Sequence, residues 1–318
     1  MMIARRLSVG AGGKTLGLLS ASLVALGLSL NVQARTLDTA YGEVEVNDDP
    51  ERVVTLYEGA LDTALVAGVT PLGAVATRGG QSVANYLQDE VPDIHIVGLV
   101  SELNIEQIVA LQPDLILASS RLPREQYELL SQLAPTVVPN TQGLAPDAWK
   151  GEARLFGDAL GQRDKVEEAI TAVDERAAEL QDKVAAAGPT GTHLVRWMPR
   201  GPLVMSTRLF STGLLSAAGF DVSDEGLVKQ GRPHSDPLSL EALSQIDGDW
   251  LFLATLNEDG EQALATAKES DAFRRLSVVE NDRVVPVDGQ LWTSASGPMA
   301  AQAVLDDIAS AIEGASQP

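Results

Sequence analysis

Short apolar runs rich in β-branched residues alternate with helical patterns over residues 52–139. The runs predict strands, and apolar residues at three- and four-residue steps predict helices. Predicted strands cover residues 53–56, 71–75, 94–97, 115–118 and 136–138, and predicted helices cover 60–67, 105–111 and 123–133. Strands that are apolar on both faces are typical of a parallel sheet covered by helices on two sides. This part of the chain is therefore predicted to be an α/β lobe.

The same alternation returns after residue 190 and predicts a second α/β lobe of similar size. Predicted strands cover residues 192–197, 250–254 and 283–287, and predicted helices cover 213–218, 240–246, 261–267, 271–276 and 298–312.

Residues 147–187 interrupt this rhythm with one long amphipathic helical pattern. Apolar residues recur at helical spacing, and no proline occurs between Pro146 and Pro189. Gly157 and Gly161 weaken the helix, so an early kink or break is expected. A helix that joins two lobes cannot swing as extended hinge strands can, because its backbone hydrogen bonds are internal. We therefore expect a largely pre-formed cleft that closes by a small angle.

The first 34 residues differ from the rest of the chain. Arg5, Arg6 and Lys14 precede an apolar run over residues 16–30, and Val32-Gln33-Ala34 resembles a processing site. The run is about 15 residues long, shorter than the roughly 20 that span a bilayer. The pattern predicts a cleaved secretory signal peptide at 1–34. The predicted organisation is then a lobe at 35–146, an interlobe helix at 147–189 and a lobe at 190–318.

Composition narrows the function. The chain has 23 basic and 44 acidic residues and a formal net charge of −21, which disfavours nucleic acid and anionic lipid as partners. It has no cysteine, which excludes disulfides, thiolate metal sites and a lipidated cysteine anchor. An exported receptor without that anchor needs an outer membrane to retain it, so we expect a Gram-negative periplasm. The three histidines and four tyrosines are scattered, and no metal or cofactor is expected, so any iron would arrive already chelated.

Two motif-like segments do not support an enzyme. Residues 10–15 imitate a phosphate-binding loop, but they lack the leading glycine and belong to the predicted signal peptide. Residues 294–297 lack the leading glycine of a hydrolase elbow.

Five segments, taken in order along the chain, resemble one protein family. They are GEVEV (42–46) with DPERVV (49–54), ALVAGVTPLG (64–73), VG (97–98) with NIEQIVALQPDLI (104–116), SLEAL (239–243), and RVVPVD (283–288) followed by Trp292 and Gly297-Pro298. The family is the helical-backbone class of periplasmic binding proteins, which serve ferric siderophores, haem and cobalamin. By pattern, the sequence is most similar to the ferric dicitrate and ferric hydroxamate receptors.

The resemblance implies two Rossmann-like lobes joined by a single long α-helix. It also implies a monomer that captures a ferric siderophore and delivers it to the permease of an ABC transporter in the inner membrane. Glu106 and Glu241 each lie at the start of a helix, where an acid complements the helix dipole. The resemblance implies that both also dock with arginines of the permease.

Ligand residues are expected where strands end, because α/β lobes bind ligands at the carboxyl edges of their sheets. Arginine would bind anionic oxygens through paired hydrogen bonds, and aromatic side chains would cover apolar parts of the ligand. Inside its strand, Arg196 is expected to form a structural salt bridge at least as readily as a ligand contact. The expected ligand residues are Tyr57, Arg78, Arg121, Trp197, Arg200, Arg232, His234 and Trp292.

Two alternatives stay open. The same fold could bind haem, with Tyr57 or His234 as an axial ligand, or cobalamin, which the many arginines disfavour. The protein could also belong to another class, an exported enzyme or a sensor partner without a transport role. A carboxylate or mixed citrate–hydroxamate siderophore is the preferred ligand, and hydroxamates and catecholates stay open.

Overall fold

The structure is a computed structural model that describes residues 34–141 and 143–315. The predicted signal peptide lies outside the described residues except for Ala34 at its end. The chain begins with an antiparallel hairpin of β1 (Ala34–Thr39) and β2 (Gly42–Asn47).

The first lobe contains a six-stranded sheet with the order β6-β5-β4-β3-β7-β8. Its strands are β3 (Val53–Leu56), β4 (Gly73–Ala76), β5 (His95–Leu99), β6 (Glu102–Leu103), β7 (Leu115–Ala118) and β8 (Thr136–Val137). Its helices are α1 (Glu58–Val66), α2 (Ile105–Leu111) and α3 (Arg124–Leu130), with a 3₁₀ helix over Asn85–Glu90. Only the β5–β6 pair is antiparallel, so the predicted parallel sheet is confirmed.

The second lobe contains a sheet with the order β10-β9-β12-β13, and β11 also pairs with β9. Its strands are β9 (Gly191–Met198), β10 (Gly201–Val204), β11 (Asp221–Val222), β12 (Trp250–Thr255) and β13 (Val284–Asp288). Its helices are α6 (Phe210–Ala217), α7 (Glu258–Lys268), α8 (Asp271–Arg274), α9 (Ser277–Glu280), α10 (Gly289–Ser294) and α11 (Pro298–Ala315). Residues 240–246 form a 3₁₀ helix, and β10 is an antiparallel strand that the apolar pattern did not predict.

The long pattern over residues 147–187 forms two helices, α4 (Ala148–Ala159) and α5 (Arg163–Ala186). The expected early break lies at residues 160–162. Gly161 has a φ of +67° there, and a Cβ at this position would come within 2.7 Å of the Asp48 carbonyl oxygen. Only glycine adopts this conformation at little cost, so it ends the first helix and redirects the chain.

The helix α5 packs against helices of both lobes. It packs on α1 of the first lobe, on α6 of the second, and most extensively on α11. Its buried side chains belong to one hydrophobic core that includes residues from both sheets. The two lobes therefore share a packed helical layer. Among the described residues, no helix is both long and apolar enough to cross a membrane.

Candidate ligand cleft

The first-lobe side of the cleft lies where the strand order reverses. In the sheet, β4 and β5 lie on one side of β3, and β7 and β8 lie on its other side. Tyr57 follows β3, and Ser120 and Arg121 follow β7. Because β3 and β7 are parallel neighbours, these residues lie at the topological switch point, the usual ligand position in open α/β sheets.

Glu152 organises this switch point from α4. Its carboxylate is buried and accepts hydrogen bonds from the hydroxyls of Thr141, Tyr57 and Ser120, with the Arg121 charge nearby. Burial raises the pKa of Glu152, and these partners lower it. Tyr57 is half-buried, and its hydroxyl also interacts with Ser296. Burial and the Glu152 charge raise the pKa of Tyr57, so the phenol stays protonated and can donate.

A second carboxylate, Glu58, lies beside Arg78. Glu58 is buried at the start of α1, and it accepts hydrogen bonds from the Thr77 hydroxyl and the Arg78 backbone N–H. Burial raises the pKa of Glu58 to about 7, and the Arg78 charge opposes this shift. Arg78 itself is exposed in the loop after β4, as expected for a residue at the cleft.

Arg196 faces Arg78 from the other lobe. Its side chain lies within β9 and is only 4% exposed. One guanidinium N–H donates to the Thr293 hydroxyl at 3.4 Å, and the Nε atom has no hydrogen-bond partner. Burial and the Arg78 charge lower the pKa of Arg196 to about 10, so the side chain is still charged at neutral pH.

The expected structural salt bridge of Arg196 is not formed, because no carboxylate of the described residues pairs with it. A buried cation without a counter-charge is costly, and a second arginine beside it increases the cost. An anion placed between Arg78 and Arg196 would relieve both effects. The two arginines therefore supply a local attraction for an anion at this cleft.

Polar contacts connect the lobes beside these arginines. The Asn85 amide donates to Asp288 at 2.9 Å, and the Asn85 backbone N–H donates to the Gln290 side chain at 3.3 Å. Gly79, next to Arg78, lies against Leu256 at the end of β12. These contacts bring the carboxyl edges of β4, β12 and β13 together.

Both tryptophans that were expected to contact the ligand lie in the hydrophobic core and not in the cleft. Trp197 is buried, and its ring packs edge-on against Phe273 with 6.0 Å between ring centroids. Trp292 is also buried, stacks on Phe252 at 4.9 Å and donates from Nε1 to Asp307 at 2.7 Å. We therefore withdraw the expectation that these two side chains cover the ligand.

The remaining expected ligand residues lie on loops. Arg200 is exposed in the turn between β9 and β10. Arg232 is exposed and forms an ion pair with Asp236 at 2.9 Å, so its charge is already partnered. His234 is half-buried, and Nδ1 of its ring lies 2.7 Å from the Ser235 carbonyl oxygen. A ligand role for these three residues stays a prediction.

Sequence reasoning missed the two buried carboxylates at the cleft, Glu152 and Glu58. Glu152 had a detectable signal, because it lies three residues after Trp149 and four before Phe156, on the buried face of α4. An acidic residue on the apolar face of an amphipathic helix indicates a buried polar site. Glu58 had a weaker signal, its position immediately after Tyr57 at the end of a strand.

The two expected docking acids are both exposed. Glu106 is in the first turn of α2, and Asn104 caps this helix by accepting from the Gln107 backbone N–H at 3.1 Å. Glu241 is in the first turn of the 3₁₀ helix, where a hydrogen bond from the Ser239 hydroxyl lowers its pKa.

Nowhere in residues 34–141 or 143–315 do three His, Cys, Asp or Glu side chains form a group able to hold a metal ion.

Comparisons with known proteins agree with this fold. The chain is 29% identical to a probable siderophore-binding lipoprotein, YfiY of Bacillus subtilis, over 87% of each chain. It is 28% identical to the achromobactin-binding periplasmic protein of Dickeya dadantii over 92% of each chain. Among solved structures, Staphylococcus aureus SirA complexed with staphyloferrin B matches with a TM-score of 0.76 and 27% identity, over 88% of this chain and 98% of SirA.

The match to a protein family covers most of the chain. Residues 53–291 match the family described as periplasmic binding protein. This range contains every strand of both sheets and the helices α4 and α5. The two α/β lobes, the shared helical layer and the cleft between the sheet edges are thus the architecture of a known class, and the chain belongs to the periplasmic binding protein family.

Proposed function

We propose that this protein captures a ferric siderophore as a preassembled anionic chelate and delivers it to the permease of an ABC importer. The observation that carries the proposal is the buried, uncompensated charge of Arg196 opposite Arg78. Support comes from relatives whose names describe siderophore or achromobactin binding and from a similar structure that holds staphyloferrin B.

The arginines explain how so acidic a protein would bind an anion. The formal net charge of −21 offers no general attraction for an anionic ligand. Arg196 is buried, where solvent screens its charge weakly, and the exposed Arg78 adds a second positive charge beside it. Guanidinium groups bind carboxylates through paired, charge-assisted hydrogen bonds. We therefore propose a carboxylate or mixed citrate–hydroxamate chelate as the ligand.

The proposed mechanism is binding and release without covalent chemistry. The protein would be exported by its signal peptide and act as a monomer in a Gram-negative periplasm. The absence of a cysteine that could carry a lipid anchor supports a free receptor.

Calorimetric titration of the mature protein tests the ligand assignment. The panel contains ferric citrate, a ferric trihydroxamate, a ferric tricatecholate, haemin and cobalamin. We expect saturable binding of a ferric chelate, with the carboxylate class tightest. Binding of haemin or cobalamin alone would contradict the proposal.

Delivery is tested by the double variant Glu106→Ala, Glu241→Ala. Both side chains are exposed, so the variant should fold and bind the chelate like the wild type. Uptake of the ⁵⁵Fe-labelled chelate should be abolished, because the permease arginines lose their partners. Unchanged uptake would remove the docking role of the two glutamates.

A further inference from the structure

Large apolar side chains that face solvent are concentrated beside the two proposed docking acids. Among the described residues, five such side chains are exposed: Leu99 (41%), Val100 (45%), Val109 (47%), Leu129 (43%) and Leu240 (39%). Scattered exposed apolar residues are normal on a soluble protein. Here Val109 lies on the same helix as Glu106, Leu99 lines the same hollow as Glu106 with Val100 next to it, and Leu240 directly precedes Glu241, which is not a scattered distribution.

The N-lobe patch consists of Leu99, Val100 and Val109 with the acids Glu102 and Glu106. Leu99 pairs with Glu102 across the β5–β6 hairpin, and Val100 is at its tip. A shallow hollow of about 590 Å³ is lined by Leu99, Glu102 and Glu106 among others. Val109 is three residues after Glu106 on α2, so both lie on one helix face.

The hairpin that presents this patch is held tightly. Gly98 has a φ of +109°, and a Cβ there would come within 2.4 Å of the Glu102 carbonyl oxygen. Such close backbone packing requires glycine. The apolar side chains are thus presented on a preorganised turn, which lowers the entropy that binding would cost.

The C-lobe patch consists of Leu240 and Glu241 at the start of the 3₁₀ helix. The preceding Leu238 donates its backbone N–H to the Pro202 carbonyl at 2.9 Å. Pro202 pairs with Trp197 near the carboxyl end of β9. The patch therefore lies at the carboxyl edge of its sheet, as the N-lobe patch does at the end of β5.

The charges of the two patches indicate the kind of partner. Residues 98–112 and 238–247 contain acidic residues but no lysine, arginine or histidine. Each patch thus offers an apolar contact beside uncompensated negative charge, which suits a surface with apolar depressions next to basic residues. Both patches lie at the sheet edges that carry the ligand arginines, where a protein receiving the ligand has to bind.

We infer that Leu99, Val100 and Leu240 are apolar anchors that pack into the periplasmic face of the permease, beside the basic residues that pair with Glu106 and Glu241. This inference rests on the proposed function. In this arrangement the acids guide the encounter and set its register, while the desolvated apolar contacts supply much of the affinity.

Site-specific photocrosslinking tests the anchors without reference to any ligand. The photoreactive residue p-benzoylphenylalanine replaces Leu99, Leu240 or Leu129 in separate variants, expressed in cells that contain the importer. We expect adducts with the membrane-spanning permease subunit at positions 99 and 240 and none at 129. No adduct at 99 and 240, or an equal adduct at 129, would overturn the inference.

Transport measurements test whether the contacts contribute affinity. The triple variant Leu99→Gln, Val100→Asn, Leu240→Gln should bind the chelate like the wild type, while ⁵⁵Fe uptake falls about tenfold or more at subsaturating receptor, because the interface loses the burial of three apolar side chains. The matched control Leu129→Gln, equally exposed on α3, should transport normally.

The outcomes separate the inference from the proposed function. Normal chelate binding with undiminished uptake by the triple variant would overturn the anchors and leave the proposed function intact. Failure of the wild type to bind any ferric chelate would remove the proposed function itself.

Discussion

The two sides of the cleft present their charges differently. In the first lobe, Tyr57, Arg78 and Arg121 follow the last residues of their strands, and the carboxylates Glu58 and Glu152 lie beneath them. In the second lobe, Arg196 and Trp197 lie within β9, where side chains alternate between the two faces of the sheet. That alternation directs Arg196 towards the cleft and Trp197 into the lobe core. A residue beyond a strand end has more freedom to face the ligand than one inside the hydrogen-bonded ladder.

The charge balance also differs between the two sides. The first-lobe arginines have carboxylates close by, while Arg196 has none among the described residues. An incoming anion would therefore gain most from Arg196. The first lobe would instead tune its attraction through the protonation of its buried acids.

The largest expected effect concerns the core position of Trp197. The variant Trp197→Ala should lower the free energy of unfolding by about 3–5 kcal/mol, because it leaves a large cavity against Phe273. Chemical denaturation measures this loss. Trp197→Phe should retain most of the stability and all of the chelate affinity. A loss of chelate affinity in the stable Phe variant would show that Trp197 contacts the ligand.

The next effect concerns Arg196. The variant Arg196→Met should weaken binding of the anionic chelate by about 2–3 kcal/mol, because the ligand loses a charge-assisted contact in a desolvated site. Folding should not suffer, since the variant removes an uncompensated buried charge. Calorimetric titration and thermal melting measure the two quantities.

A second arginine provides the matched control. Arg283 also has a buried guanidinium nitrogen without a partner, but it lies over the Trp250 ring and donates to the Ala187 carbonyl, away from the cleft. Arg283→Met should leave chelate affinity unchanged. Equal losses of affinity in the two variants would show that Arg196 acts through the fold and not at the ligand.

A smaller effect is the pH dependence introduced by Glu58. Its raised pKa of about 7 means that Glu58 is neutral below this pH and ionised above it. Ionised Glu58 partly compensates the neighbouring Arg78, so anion affinity should fall between pH 6 and pH 8 by about 1 kcal/mol. The groups that face Glu58 are Thr77, Arg78, Tyr57 and Tyr86. Neither tyrosine titrates in this range, because both have raised pKa values.

The chelate affinity of the variant Glu58→Gln should depend less on pH than that of the wild type. Both proteins are titrated with the same chelate, so that protonation of the ligand affects the two measurements equally.

The free energy of unfolding provides a second measurement. The pKa of Glu58 in the folded state exceeds its ordinary value of 4.5. The contribution of Glu58 to the free energy of unfolding is therefore fully present below pH 4.5 and is lost as the pH rises through 7. Glu58→Gln should reduce the loss of stability between pH 4.5 and pH 7. Part of that loss should remain, because burial also raises the pKa of Asp62 to about 7. Identical pH profiles of chelate affinity and of unfolding free energy for the wild type and Glu58→Gln would contradict the role of Glu58.

The smallest expected effect is at Arg232. Its charge is paired with Asp236 on the surface, where such pairs contribute about 0–1 kcal/mol to stability. Arg232→Ala should change chelate affinity by less than about 0.5 kcal/mol, as measured by the same titration. A loss comparable to that of Arg196→Met would show that the loop over residues 231–237 covers the ligand.

Much of the fold was predictable because its signals are local. The predicted bounds of α2 and β7 agree with the structure, since an asparagine cap and the turn over residues 112–114 delimit them. The break in the long helix was expected from Gly157 and Gly161, and it occurs at the second of these. The strand β10 was missed because its four residues contain glycine and proline, which weaken any strand pattern.

The sequence by itself determined the class of fold, the positions of the strand ends and the arginines near them, because periodicity, turns and caps depend on neighbours in the chain. Only the tertiary structure decided that Arg78 faces Arg196, that Glu152 accepts from three hydroxyls, and that both expected tryptophans are buried. These outcomes depend on how separate elements pack and on the face of each strand that meets its neighbour. Such contacts join residues distant in the chain, and no local pattern specifies them.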